Sequence, residues 1–152
     1  MRGTINKLLW LAFGGGVLVA IDQLIKSMVW ALNLTITPRH PSDYWWMTWH
    51  QNYGISFGIE LPYYLSVGLM AGFLLLLLWL LFQRSTRHPV MVLGLILSIA
   101  GGVGNLVDRV NLGYVRDFIA LSPWLPIFNF ADILVASGVV LMLWWVYRYG
   151  RT

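Results

Sequence analysis

The chain has 152 residues, of which 59% are hydrophobic and 11% charged, whereas about a quarter of residues are charged in soluble globular domains. Together with a mean hydropathy of +0.70, this composition excludes a soluble globular domain. The lack of cysteine excludes disulfide scaffolds, thiol nucleophiles and Cys-ligated metal sites, and a formal charge of +4 is too small and too dispersed for a nucleic-acid surface.

Four apolar stretches are long enough to cross a bilayer, whose hydrocarbon core requires about 20 helical residues. They predict a single all-α membrane domain over residues 1–152. The first stretch resembles a secretory signal, but no small-residue cleavage site with a polar mature domain follows it, so we interpret it as a retained helix. The predicted helices cover about residues 8–32, 61–82, 89–107 and 130–147.

Two charged residues, Asp22 and Lys26, interrupt the first predicted helix. They are four residues apart and share a helix face. An ion pair that allows both side chains to reside in the membrane is the favoured interpretation, and catalysis is the alternative. A Ser/Lys hydrolase that uses Lys26 with Ser27 or Ser56 is disfavoured, because Ser27 faces elsewhere on the helix and Ser56 lies in another segment.

The segment between the first two helices, residues 33–60, has the pattern of short β-strands. An alternating stretch at 34–37 is followed by an aromatic-rich one at 44–49 and a Gly-punctuated one at 52–58, which is typical of strands. The pattern predicts a small β-sheet at headgroup level, where indole rings are favoured. Either these tryptophans only anchor the protein in the interface, or the segment covers a site.

The distribution of Lys and Arg predicts the orientation of the four helices. Basic residues favour the cytoplasmic side for both termini and for the second connection, which leaves residues 33–60 and 108–129 on the outer side. The cytoplasmic set comprises Arg2, Lys7, Arg84, Arg87, Arg148 and Arg151, and the outer set comprises Arg39, Arg109 and Arg116.

Polar side chains follow one stripe of the third predicted helix. Gly101, Asn105 and Asp108 occupy positions i, i+4 and i+7, so they share a face. A small residue at such a position permits close packing of membrane helices. We interpret Asn105 and Asp108 as hydrogen-bonding groups that support a site, with Arg109 as the local counter-charge.

Two further aspartates belong to the outer loop, residues 108–129, and the start of the fourth helix. Asp117 has no structural role that the sequence reveals, so it is the best catalytic candidate. Asp132 lies three residues after Asn129, a spacing typical of a capping box, so a purely structural role is the alternative for Asp132. With Asp22 and Asp108, these carboxylates converge at one depth near the outer interface.

Paired carboxylates can hydrolyse a peptide bond without a metal or a cofactor, and we expect neither. Two such groups within hydrogen-bond reach share a proton. One accepts a proton from the attacking water while the other donates to the carbonyl oxygen. His40, His50 and His88 lack the spacing of a zinc site, which disfavours a metalloprotease.

Five motifs, in order from the first helix to the fourth, resemble those of the bacterial lipoprotein signal peptidase, or type II signal peptidase. Each motif alone is weak, but five in register are highly specific. Ser56 departs from the pattern, since the family usually has alanine there. The motifs are Asp22-Gln23-x-x-Lys26, Asn52-x-Gly54-x-x-Phe57-Gly58, Gly101-Gly102-x-Gly104-Asn105-x-x-Asp108-Arg109, Gly113-x-Val115-x-Asp117-Phe118 and Phe128-Asn129-x-Ala131-Asp132.

The resemblance implies a four-helix aspartyl protease of the bacterial inner membrane with a small periplasmic sheet. Such an enzyme removes signal peptides from prolipoproteins by cutting before a diacylglyceryl-modified cysteine. The resemblance implies that prolipoproteins and membrane lipids are the partners of the protein. It implies no nucleic-acid partner and a monomeric protein. A small proton-coupled transporter is the alternative, although a transporter should have a carboxylate near mid-span. A non-enzymatic assembly factor would leave the paired aspartates unexplained.

The resemblance also assigns roles to residues. It implies Asp117 and Asp132 as the catalytic pair. Other matches line or support the site, and a third group is structural. The supporting residues are Asn52, Gly54, Asn105, Arg109 and Asn129, and the structural polar residues are Asp22, Lys26 and Asp108.

Overall fold

The structure, a computed structural model, describes residues 2–36, 46–55, 59–83, 88–122 and 125–150. Several sequence predictions concern residues outside these ranges. They include positions 37, 44–45 and 56–58 of the predicted strands, among them Ser56, which departs from the family motif. They also include the basic residues Arg39, Arg84, Arg87 and Arg151.

Four helices in the described residues are long and apolar enough to cross a membrane. Their outward surfaces expose many large apolar side chains, as expected for helices that face lipid. The predicted class of an all-α membrane protein with a small β-sheet is confirmed. The helices are α1, Arg2–Leu9 continued through a π-helical segment Trp10–Gly15 and Gly16–Ala31, α2, Tyr63–Phe82, α3, Pro89–Leu112, and α4, Phe130–Tyr149.

Helix α3 extends beyond the predicted end at residue 107 because its last turns remain helical up to a glycine cap. The cap residue, Gly113, has φ of 84°, a left-handed conformation that glycine adopts without steric cost. The chain then reverses directly into a strand. The end of α3 therefore brings the following segment back over the same end of the helix bundle.

The β-structure joins the two segments that connect α1 to α2 and α3 to α4. Strand β1, Trp46–Asn52, pairs antiparallel with β4, Val115–Ala120. Strands β2, Gly54–Ile55, and β3, Ile59–Glu60, form a second antiparallel pair. The main sheet is thus not confined to residues 33–60, because half of it comes from the stretch that was predicted to be a loop. We call this end of the bundle the strand end.

Helix α3 packs between α2 and α4 and forms the centre of the bundle. Against α2 it buries a leucine- and isoleucine-rich core. Against α4 it makes a close backbone approach at Gly101, where an added Cβ would lie 2.8 Å from Val135 Cγ2 and 3.1 Å from Leu134 Cβ. The close packing predicted for this small residue is present. It brings Asn105, one turn further along α3, next to the first turn of α4.

Candidate active site

A polar cluster lies at the strand end of the bundle, where α1, α3, α4 and β4 meet. Most of its side chains are almost completely buried. Charged groups at such a depth are costly unless they are paired. The cluster comprises Asp22, Lys26, Asn105, Asp108, Asp117, Asn129 and Asp132, linked by hydrogen bonds and ion pairs.

Asp117 enters the cluster from strand β4 and is 1% exposed. Its Oδ1 accepts a hydrogen bond of 2.6 Å from Asn129 Nδ2, and its Oδ2 accepts one of 2.9 Å from Asn52 Nδ2. Asn52 pairs with Val115 across the sheet, so Asp117 is its diagonal neighbour on the same face. The register of β1 on β4 therefore places Asn52 against the best catalytic candidate.

Asp132 enters the cluster from the first turn of α4 and is half-buried. The predicted capping box is present: Asn129 Oδ1 accepts from the Asp132 amide, and Asp132 Oδ2 accepts from the Asn129 amide, both at 3.0 Å. Its other oxygen accepts a bond of 2.8 Å from Asn105 Nδ2. The Asp132 carboxylate thus takes part in both the capping box and the polar cluster, so its structural role does not exclude a chemical one.

A single side chain, Asn129, joins the two aspartates. Its amide nitrogen donates to Asp117 while its oxygen and its backbone amide bond to Asp132. The same nitrogen also donates to Asn105 Oδ1 at 3.0 Å. One fully buried residue therefore bonds to both carboxylates, to Asp117 through its side chain and to Asp132 through its backbone amide.

The environment of Asp117 favours its protonated form. Burial, and then the charge of the neighbouring Asp132 carboxylate, raises the pKa of Asp117 to about 7, although hydrogen bonds from Asn52 and Asn129 act in the opposite direction. The side chain of Arg116 binds elsewhere and donates no hydrogen bond to Asp117. A carboxyl with a pKa near neutrality can exchange protons under physiological conditions.

Lys26 neutralises the buried charges beside the aspartate pair. The predicted ion pair with Asp22 is present, at 2.9 Å between Nζ and Oδ2. Lys26 Nζ also lies 3.5 Å from Asp108 Oδ2 and donates to Asn105 Oδ1 at 2.9 Å. Asp22 in turn accepts from the Ala131 amide at 3.0 Å. These contacts tie α1 to both α3 and the start of α4.

The counter-charge of Asp108 is Arg116, and the interpretation of Arg109 in that role is wrong. Arg116 Nη2 lies 2.7 Å from Asp108 Oδ1. Arg109 follows Asp108 on the helix, so it points in a different direction, and its guanidinium donates to the backbone carbonyls of Tyr53 and Gly54. The Gly54 amide donates to Asn52 Oδ1 at 2.9 Å. Arg109 therefore supports the turn that presents Asn52 to Asp117.

Two residues of this network were not identified from the sequence, Gln23 and Arg116. Gln23 Nε2 donates to Asp22 Oδ2 and to the Gly104 carbonyl, both at 3.0 Å, and its oxygen accepts from Arg116 Nη2 at 2.9 Å. The alternation of a strand through Val115, Arg116 and Asp117 would have indicated that Arg116 points away from Asp117. That signal was missed because the segment was interpreted as a loop.

Within the described ranges, no group of three or more His, Cys, Asp or Glu side chains is arranged to hold a metal ion. His50 lies on β1, and His88 caps the start of α3, where its Nδ1 accepts from the Val90 amide at 3.3 Å.

The chain is similar to a family of known membrane peptidases. A family model described as signal peptidase (SPase) II matches residues 15–148. The lipoprotein signal peptidase of Moorella thermoacetica is 31% identical over 133 residues, which cover 84% of this chain and 86% of that protein. The lipoprotein signal peptidase of Caulobacter vibrioides is 35% identical over 155 aligned positions, which cover 88% of this chain and 84% of that protein.

A solved structure has the same fold. It is described as a bacterial membrane enzyme, determined by the in meso method at 2.3 Å resolution. It superposes with a TM-score of 0.79 at 25% sequence identity, and the match covers 94% of this chain and 88% of that chain. The likeness therefore extends over all four helices.

Proposed function

The chain belongs to the signal peptidase II family, and we propose that it cleaves prolipoproteins as an aspartyl endopeptidase with Asp117 and Asp132 as its catalytic pair. The family membership confirms the resemblance seen in the sequence and makes the chain a multi-pass membrane peptidase. The observation that supports the aspartyl mechanism is Asn129, whose side-chain amide donates to the Asp117 carboxylate while its backbone amide donates to the Asp132 carboxylate.

In the proposed reaction, the oxygen of a water molecule attacks the carbonyl carbon of the scissile peptide bond. Asp132 accepts a proton from this water, and Asp117 donates its proton to the carbonyl oxygen, which gives a neutral tetrahedral intermediate. When the carbon–nitrogen bond breaks, Asp132 gives its proton to the leaving nitrogen and Asp117 takes a proton from one hydroxyl of the intermediate, which yields an amine and a carboxylic acid and restores both aspartates. Asp132 is assigned the accepting role because both of its oxygens are held by hydrogen bonds, Oδ2 from the Asn129 amide and Oδ1 from Asn105 Nδ2.

We propose that the scissile bond precedes a diacylglyceryl-modified cysteine. The catalytic pair lies at the strand end of apolar helices, so acyl chains could lie along the helices while the peptide bond reaches the aspartates. Asn52, Asn105 and Asn129 hold the pair, and Arg109 with Gly54 supports the adjoining turn. Asp22, Lys26 and Asp108 keep the helices in register around it.

The proposed location is the bacterial inner membrane, with both termini in the cytoplasm, the strand end on the periplasmic side and a monomer as the working unit. The bias of basic residues supports this orientation. Lys7 lies at the opposite end from the aspartates, where its Nζ donates to the Leu81 carbonyl at 2.6 Å.

The direct test is cleavage of a synthetic peptide by the purified protein in detergent. One substrate carries a diacylglyceryl cysteine, and its twin has the same sequence with an unmodified cysteine. We expect cleavage of the lipidated peptide before its cysteine and little cleavage of the twin, because acyl chains supply most of the apolar contact with the helices. Mass spectrometry of the products identifies the bond that is cut.

Equal cleavage of both peptides would contradict the lipid requirement. Activity that disappears in a chelator and returns with zinc would contradict the aspartyl mechanism. Proton uptake by sealed vesicles without peptide cleavage would instead favour the transporter alternative, for which the structure offers no specific support.

The protonation of Asp117 predicts a pH dependence. Since the proposed acid must hold its proton, kcat/KM should fall as the pH rises through about 7. The pKa of this carboxyl is raised above its ordinary value of 3.8, so its contribution to stability is fully present below about 3.8 and is lost as the pH rises through about 7. Melting temperatures between about pH 3.8 and 7, and rate profiles that extend above pH 7, measure the two effects.

Infrared spectra of the carboxyl stretch provide the control for this assignment. The band of the protonated carboxyl should disappear in Asp117→Asn and persist in Asp132→Asn. The reverse result would exchange the roles of acid and base.

A further inference from the structure

We propose that Arg116 is a positioning residue, which holds strand β4 so that Asp117 faces Asn129 and Asn52. The inference rests on the proposed function, since it concerns the orientation of one member of the catalytic pair. Arg116 occupies the unspecified position of the Val-x-Asp motif, so the family motif assigns it no role.

Arg116 connects strand β4 to two helices. Its backbone amide donates to Asp108 Oδ2 at 3.0 Å, and its Nη2 lies 2.7 Å from Asp108 Oδ1 on α3. Nη2 also donates to Gln23 Oε1 at 2.9 Å, and Nη1 donates to Ser27 Oγ at 3.2 Å, both on α1. The side chain is 11% exposed, so these contacts are made largely out of water.

Because side chains alternate along a strand, the contacts that fix Arg116 also fix the direction in which Asp117 points. Successive side chains of a strand point to opposite faces. With Arg116 directed toward Asp108, the neighbouring Asp117 must point the other way, where Asn52 and Asn129 donate to its oxygens. A shift of the strand by one residue would exchange the two side chains.

Among the described residues, strand β4 pairs with one strand only, so other contacts must hold its second edge. It pairs with β1, and on its other side it has an isolated bridge between Ile119 and Phe128. On that side, near the start of β4, the Arg116 amide donates to the Asp108 carboxylate rather than to a strand. The Asp108 carboxylate is itself fixed by Lys26.

Arginine suits this position better than another cation. The planar guanidinium reaches Asp108, Gln23 and Ser27 at once, whereas a lysine ammonium would place one charge near Asp108 without spanning the three partners. The geometry thus predicts that charge alone does not replace Arg116.

The test compares Arg116→Gln and Arg116→Lys with Ser27→Ala as the matched control. On the lipidated peptide, Arg116→Gln should lower kcat by about 10- to 100-fold, as expected for a small misplacement of a reacting group, with little change in KM. The lysine variant should also have a lower kcat. It serves as the test variant if the glutamine variant does not fold. Ser27→Ala loses one Arg116 contact but keeps the Asp108 pair, so its kcat should stay near the wild-type value.

Two further readouts separate positioning from a general loss of stability. A displaced Asp117 would change its burial, its distance from the Asp132 charge and its Asn hydrogen bonds, which together set the pKa of this carboxyl, so the alkaline limb of the pH–rate profile should move from its wild-type position. In a double-mutant cycle, Asp108→Asn and Arg116→Gln should be non-additive in kcat, because both remove the same anchor.

A lower melting temperature with unchanged kcat and an unchanged pH profile in both Arg116 variants would overturn the proposal. A rise in KM alone would assign Arg116 to substrate binding and would also overturn it. If Asp117→Asn keeps full activity, the proposed function itself fails. If Asp117→Asn is inactive while both Arg116 variants keep full activity, only the positioning role is refuted.

Discussion

Asparagine in place of Asp117 or Asp132 is expected to lower cleavage of the diacylglyceryl peptide by about 10²- to 10⁴-fold, the range of general acid–base catalysis. An amide cannot exchange the required proton. Both variants should still fold, since an asparagine oxygen can accept some of the hydrogen bonds now made by Asn52, Asn105 and Asn129. Single-turnover rates and melting temperatures in the same detergent measure the two effects.

Asp22→Asn is the matched control for this experiment. Asp22 is also a buried aspartate of the polar cluster, but it bonds to Lys26 and to the Ala131 amide rather than to the catalytic pair. It should lower the melting temperature and leave measurable cleavage by the folded fraction. Near-normal turnover in Asp117→Asn or Asp132→Asn would remove that residue from the catalytic pair.

Lys26→Met is expected to destabilise the protein by about 3–5 kcal/mol, the cost of removing one partner from a buried ion pair. Lys26 and Asp22 are both inaccessible to solvent, and Asp108 lies on the other side of the ammonium group. Removal of the cation leaves Asp22 with an uncompensated charge inside the bundle. Chemical or thermal unfolding in detergent measures the loss.

The double variant Asp22→Asn/Lys26→Met tests whether the lost stability comes from the unpaired charge. Its asparagine is neutral and can still accept a hydrogen bond from the Ala131 amide, so part of the stability should return. An equal loss in the single and double variants would mean that packing, not charge, accounts for the effect of Lys26→Met.

Helical periodicity and spacing predicted the local features of this fold. The ion pair between Asp22 and Lys26 and the capping box of Asn129 and Asp132 each depend on residues three or four positions apart, and such neighbours are fixed by the helix itself. Apolar stretches of sufficient length likewise indicated the four helices.

Contacts between distant segments could not be predicted in this way. Asn52 reaches Asp117 because β1 pairs with β4, and no local rule specifies which strands pair or in which register. Adjacency in sequence favours Arg109 as the partner of Asp108, but the chain reverses after Gly113 and brings Arg116 to Asp108 instead. The motif resemblance predicted that Asn52, Asp117 and Asp132 belong to one site, although it could not predict the hydrogen bonds among them.

The double use of Asn129 links the maturation of the protein to its activity. Its side chain closes the first turn of α4 and also holds Asp117 beside Asp132. During synthesis, α4 is made after the other three helices, so in the proposed mechanism a nascent chain has no catalytic pair until this helix docks against α3. In that mechanism, proteolytic activity begins only once α4 has docked against α3.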